Sequence, residues 1–165
     1  MPDLADPWRL AELHKTYSGR LKPAVFVRLN EAVEGVSEDI DYGLRFAKVA
    51  RLAILEGHVK ARLVMKCQRC LEPVEVAVDS VFRFGLVASE AEAERLPDDL
   101  DPLLMTDQPV DPLDLLEDEL LLCLPLVPMH QPGECRRPSV PEPDEPEIKT
   151  KKDNPFAALS VLKGR

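Results

Sequence analysis

Aromatic residues make up only 5% of this 165-residue chain: one Trp, two Tyr and five Phe. Nucleic-acid platforms that stack bases on exposed rings draw on residues the chain has little of. Histidine is scarcer still, with His14, His58 and His130 the only imidazoles. No glycine-rich phosphate loop and no GxSxG elbow occurs, so phosphoryl transfer and serine hydrolysis find no support. His14 on a helix surface and His58 at a turn read as solvated side chains rather than general bases. No apolar run approaches the ~20 residues that span a bilayer, and residues 1–20 lack the cationic start and apolar stretch of a secretion signal. These absences predict a cytoplasmic protein with no membrane partner. In that reducing setting a close thiol pair points to metal or redox chemistry rather than to a structural disulfide.

The charge is uneven. The net value is −9, which argues against wrapping nucleic acid over the whole surface. Residues 45–70 nevertheless hold seven bases against Glu56 alone, a local +6, whereas residues 90–120 hold twelve acids against Arg95, a local −11. The first stretch could face RNA and the second a basic protein.

Patterning predicts an α+β fold: a curved antiparallel sheet of about five or six strands over residues 21–87, covered by one or two helices, with a partly closed barrel as the variant. Asp6-Pro7 opens a first helix, with Trp8, Ala11 and Leu13 on about one face and Gly19 ending it. Residues 24–29, 42–47 and 49–55 read as strands. Glu56-Gly57 reads as a hairpin turn into the clearest strand, where Val59, Ala61, Leu63 and Met65 alternate with His58, Lys60, Arg62 and Lys66. Val74, Val76, Val78, Phe82, Phe84 and Leu86 carry the alternation on past the CxxC.

Residues 89–101 begin with a helical turn and become an acidic loop. Asp111-Pro112 opens the best helix, with a Leu113, Leu116, Leu120 and Leu124 stripe, solvated Glu117, Asp118 and Glu119, and a stop at Pro125. One domain, 1–131, is expected, followed by a disordered Pro- and acid-rich linker over 132–153. Residues 154–165 form a short amphipathic segment whose Phe156, Leu159 and Leu162 need a surface to dock on, namely that of a partner.

The chemistry concentrates at Cys67 and Cys70, in a turn between antiparallel strands. Tetrahedral zinc needs four ligands. The most economical set adds His130 and, five residues on, Cys135. Cys123 falls within the leucine-rich helix and reads as a small buried hydrophobe. The competing reading is reduced, unmetallated thiols. A thioredoxin-like thiol oxidoreductase would want the first cysteine at a helix N-terminus, whereas Leu71, Glu72, Pro73 and a strand follow here. The bases Lys60, Arg62, Lys66 and Arg69 form a candidate RNA contact of modest, salt-sensitive affinity, weighed evenly against an ordinary solvated face.

Three blocks then stand out in order: CQRCLEPVEV at 67–76, DLLEDELLLCLPLVPMH ending at His130 with Cys135 following, and NPFAALSVLK at 154–163. Together they resemble the bacterial family of large ribosomal RNA subunit accumulation protein YceD. The resemblance implies a non-enzymatic cytoplasmic factor that supports the synthesis, processing or stability of large-subunit (23S) ribosomal RNA, with that RNA or its precursor, a ribosomal protein or an assembly factor as partner. An acidic chaperone or adaptor for a basic ribosomal protein is the alternative. The family pattern includes positions matching Cys67, Cys70, His130 and Cys135. Cys123 stands where relatives often carry alanine, and Leu71 where some carry glycine.

Overall fold

The computed structural model describes residues 6–105 and 110–135. Helix α1 (Pro7–Glu12) leads into strand β1 (Thr16–Leu21), and α2 (Val27–Ala32) precedes β2 (Gly35–Val36). Strands β3 (Ile40–Val49), β4 (Leu52–Lys66) and β5 (Pro73–Val87) follow, then α3 (Glu90–Ala93), β6 (Asp101–Leu104) and α4 (Pro112–Leu122). Residues 136–165, which contain Phe156, Leu159 and Leu162 and nearly all of the expected linker, lie outside the described residues.

The fold is α+β, and its sheet is ordered β1-β3-β4-β5-β6, with β2 also on β4. Strands β4 and β5, fifteen residues each, pair antiparallel from Ile54↔Gly85 to Lys66↔Pro73. Their alternation puts Leu55, Val59, Ala61 and Leu63 into the core beside Val78, Phe82 and Leu86. Every ladder is antiparallel except β5–β6, which runs parallel. Among the described residues β1 and β6 meet no further strand. The sheet is therefore open and the barrel variant does not hold: six-residue β1 and four-residue β6 leave the ladder two edges that never join.

Several local expectations give way. The first helix ends at Glu12, capped by Asp6, whose side chain accepts from the Arg9 amide. Gly19 instead lies inside β1, opposite Tyr42. Residues 24–29 contain no strand but a 3-10 turn, Pro23–Val25, and the start of α2. The cause is tertiary. The N-cap Phe26 offers α2 no side-chain cap, and the Glu117 Oε1 of α4 accepts from the third-position amide, Leu29, at 3.0 Å. Helical spacing then buries both Phe26 and Leu29 completely.

The hairpin turn falls at Ala50-Arg51, with Val49 opposite Leu52 and Ala50 at φ 56°, while β4 runs straight through Glu56-Gly57. Gly57 serves packing instead, since a Cβ there would run into the ring of Phe82.

Helix α4 begins at Asp111, whose side chain accepts from the Leu113 amide, with Pro112 at the first position. Its buried face is Leu115, Leu116 and Leu120, turned slightly from the expected stripe and leaving Leu113 half-buried. Burying each leucine contributes about 1.5–3 kcal/mol. Glu117 is not solvated: it is 4% exposed, and its Oε2 accepts from Arg28 Nε at 2.8 Å. Among the described residues no helix is long and apolar enough to cross a membrane.

Candidate metal centre

The β4–β5 ladder closes at Lys66↔Pro73, and residues 67–72 form the turn above it. Two backbone bonds of 2.9 Å set its shape, Cys67 N–H to the Glu72 carbonyl and Leu71 N–H to the Cys67 carbonyl. Leu71 takes φ 64°, the left-handed region usually left to glycine. The chain returns after α4, where the Gln68 amide donates to the Pro128 carbonyl at 2.9 Å and lays the 128–135 segment beside the turn.

This brings Cys67, Cys70, His130 and Cys135 together, one ligand atom of each lying within 4.8 Å of the others. Cys67 Sγ is 3.7 Å from Cys135 Sγ, and His130 Nδ1 is 3.4 Å from Cys70 Sγ and 3.7 Å from Cys135 Sγ. A tetrahedron with Zn–S of ~2.3 Å and Zn–N of ~2.0–2.1 Å has edges of about 3.8 Å between sulfurs and about 3.6 Å from sulfur to nitrogen. The donor set therefore fits a metal ion such as zinc. The His130 ring is also oriented as a ligand, because its Nε2 lies 3.0 Å from the Pro73 carbonyl. Donating there puts the proton on Nε2 and leaves Nδ1 free to coordinate.

The electrostatics describe a cluster short of positive charge. Burial would raise the Cys67 thiol, but the amides of Cys70, His130 and Arg69 and the His130 side chain outweigh it and hold it down at about 5. The Glu72 amide pulls Cys70 the other way from the final balance, in which burial and the neighbouring sulfurs of Cys135 and Cys67 leave it raised. His130 is raised by its contacts with Cys67 and Cys135. Three sulfurs this close cannot all ionise comfortably unless a cation sits among them.

Cys123 stays apart. It caps the C-terminal end of α4 and is exposed, so the expectation of a buried residue fails, because Leu116 and Leu120 occupy the inward face.

The four candidate RNA-contact bases do not form one free surface. Lys60 Nζ lies 2.7 Å from Asp79 and faces Asp41 on β3 in the ladder. Arg62 Nε lies 3.8 Å from Glu38. The depression beside them, about 310 Å³, is also lined by Asp39. Lys66 lines a second one with Glu31 and Glu34. Arg69 belongs to the thiol cluster, where its Nε donates to Cys135 Sγ at 2.9 Å. Arg69 does not belong on the strand face: the strand ends at Lys66, and continuing its period of two would reach Gln68 rather than Arg69. Its position inside the CxxC is the one sign in the sequence of the other role. The Pro73 and Pro128 carbonyls carry no sequence signal, since any residue offers one.

The family model described as large ribosomal RNA subunit accumulation protein YceD matches residues 55–163, which include the whole thiol cluster. A protein of that name from Haemophilus influenzae is 33% identical over 167 residues, covering 99% of this chain and 96% of the relative. No solved structure matches. The chain belongs to the YceD family of large ribosomal RNA subunit accumulation proteins.

Proposed function

We propose that this chain is a non-enzymatic, cytoplasmic factor that supports accumulation of 23S ribosomal RNA through a basic protein partner, with a structural zinc ion at its knuckle. Cys67, Cys70, His130 and Cys135 would be the ligands. Four protein donors complete a tetrahedral shell and leave no position for substrate or activated water, which suits a structural site. A thiol oxidoreductase fits less well, because Cys67 is fully buried and a strand rather than a helix follows the pair.

The observation that carries the protein-mediated route is the company the bases keep. Lys60 and Arg62 sit among Glu38, Asp39, Asp41 and Asp79, so a phosphate backbone approaching β4 meets more acid than base. Acidic side chains of α4 such as Asp114 and Asp118 are exposed as well. A ribosomal protein or assembly factor rich in Lys and Arg suits this surface. The apolar positions Phe156, Leu159 and Leu162 would add a second contact with that partner.

Filter binding to large-subunit RNA across a salt series tests the route. The expected result is weak binding with a slope near zero, unchanged when Lys60, Arg62 and Lys66 are reversed to Glu. A steep slope lost in that triple variant would establish direct RNA contact instead. In co-purification, the Phe156→Ala/Leu159→Ala/Leu162→Ala variant is expected to lose a basic protein that the parent chain retains.

A further inference from the structure

We infer that Arg69 is the counter-charge and strap of the thiol knuckle, a positioning residue for the metal rather than a contact for phosphate. This rests on the metal reading above. The Arg69 guanidinium makes three contacts, all to the segment that brings in the last two ligands. Nε donates to Cys135 Sγ at 2.9 Å, and Nη2 donates to the carbonyls of His130 at 3.2 Å and Gln131 at 3.4 Å. One planar group thus grips the side chain of one ligand and the backbone of another.

The 130–135 arm has few other ties. The His130 ring reaches the Pro73 carbonyl. Within the arm, the Gln131 amide donates to Glu134 and the Glu134 amide to the Gln131 carbonyl, which shapes the arm without fixing it to the sheet. The Gln68 amide holds the segment at the Pro128 carbonyl upstream, and Arg69 adds the fixing of the arm from His130 on. Arg69 comes from the turn carrying Cys67 and Cys70, so it locks the two halves of a ligand set separated by sixty residues of sequence.

Charge balance points the same way. Three thiolates, a neutral imidazole and a divalent ion sum to one negative charge, which a single guanidinium cancels. A lysine would bring the charge but not the fork that reaches a sulfur and two carbonyls at once. The neighbouring base Lys66, the last residue of β4, makes no ion pair among the described residues, and it serves as the control.

Zinc competition against a chromogenic chelator, on the full-length chain, compares the parent with Arg69→Gln, Arg69→Lys and Lys66→Gln. Outer-shell partners of metal ligands are typically worth 10- to 100-fold in affinity. Arg69→Gln is expected to weaken zinc binding by about that factor, Arg69→Lys to fall between it and the parent, and Lys66→Gln to match the parent. Should Arg69→Gln fail to fold, the lysine variant decides, with several-fold weaker binding expected. Parental affinity in either Arg69 variant, or an equal loss in Lys66→Gln, overturns the assignment. A parent chain that takes up no zinc overturns the metal reading itself, and the two failures are told apart by which protein shows them.

Discussion

At the knuckle, side chains from two distant segments meet with no carboxylate among them, and their nearest charged neighbour is Arg69. On the outer face of β4, a few residues away, Lys60 is paired with Asp79 on the next strand and Arg62 with Glu38 on the preceding loop. The first arrangement builds a local demand for a cation. The second cancels itself. Like groups that converge produce a strong local field, whereas opposite charges paired across strands leave little for a distant ligand to feel. The buried or convergent contacts should accordingly matter for stability and the paired row should not.

Metal removal has the largest expected effect. A strong chelator should lower the stability of the loaded chain by on the order of 3–4 kcal/mol if the metal is held a few hundred- to a thousandfold above its Kd. Thermal unfolding with and without chelator reads this, and hydrogen exchange should place the loosening at residues 67–72 and 128–135. Unfolding curves that coincide would put the knuckle on the same footing as the charged row.

Next comes Glu117→Ala, which strips the Leu29 amide of its acceptor and leaves a buried helix N-terminus unpaired. The cost should be about 1–3 kcal/mol in denaturant titration, with α2 loosening first. Leu71→Gly acts in the opposite direction. A left-handed residue other than glycine costs about 1–3 kcal/mol, and glycine returns part of this as chain entropy, so the variant should gain about 0.5–1 kcal/mol. Destabilisation would mean that the exposed Leu71 side chain packs on something.

Glu119 gives a smaller effect that depends on pH. Burial raises its carboxyl, donation from the Ser80 hydroxyl opposes this, and Asp101 and Asp118 raise it further. The folded chain then holds the proton to higher pH than the unfolded chain, so stability falls as pH rises from the unfolded value of about 4.3 through the folded one. Glu119→Gln should stabilise the protein at neutral pH and lose that advantage in acid. An advantage that persists below pH ~4 would assign the gain to another cause. The smallest effect is expected on the row itself, where Lys60→Ala should change stability by no more than about 0.5 kcal/mol. A loss as large as that of Glu117→Ala would erase the contrast between the two regions.

Elements governed by local chemistry are legible in the chain, and elements governed by distant partners are not. The alternation of β4 and β5 and the Asp111-Pro112 start of α4 need no outside information, and the structure follows them. Residues 24–29 have a strand's composition, yet a carboxylate 88 positions away satisfies the amide that makes a helix possible there. The Ala50-Arg51 turn carries no turn signature, because neither residue is glycine, asparagine or aspartate, and Gly57 is a glycine for a reason that belongs to Phe82. The parallel strand β6 carries only four residues, too few for a pattern. At the thiol cluster, residue type and the short spacing within each pair point to the ligand set, because thiolate and imidazole are the donors that structural zinc sites use. Grouping Arg69 with Lys60, Arg62 and Lys66 follows closeness in sequence alone, since the strand ends at Lys66 and its period would next reach Gln68; a turn obeys no such rule.

Native mass spectrometry of the chain purified without chelator decides whether the knuckle holds a metal ion. One zinc ion per chain is predicted, lost in Cys135→Ser and in His130→Ala and retained in Cys123→Ser. A folded chain that carries no metal, or one that keeps it without Cys135, would contradict the account.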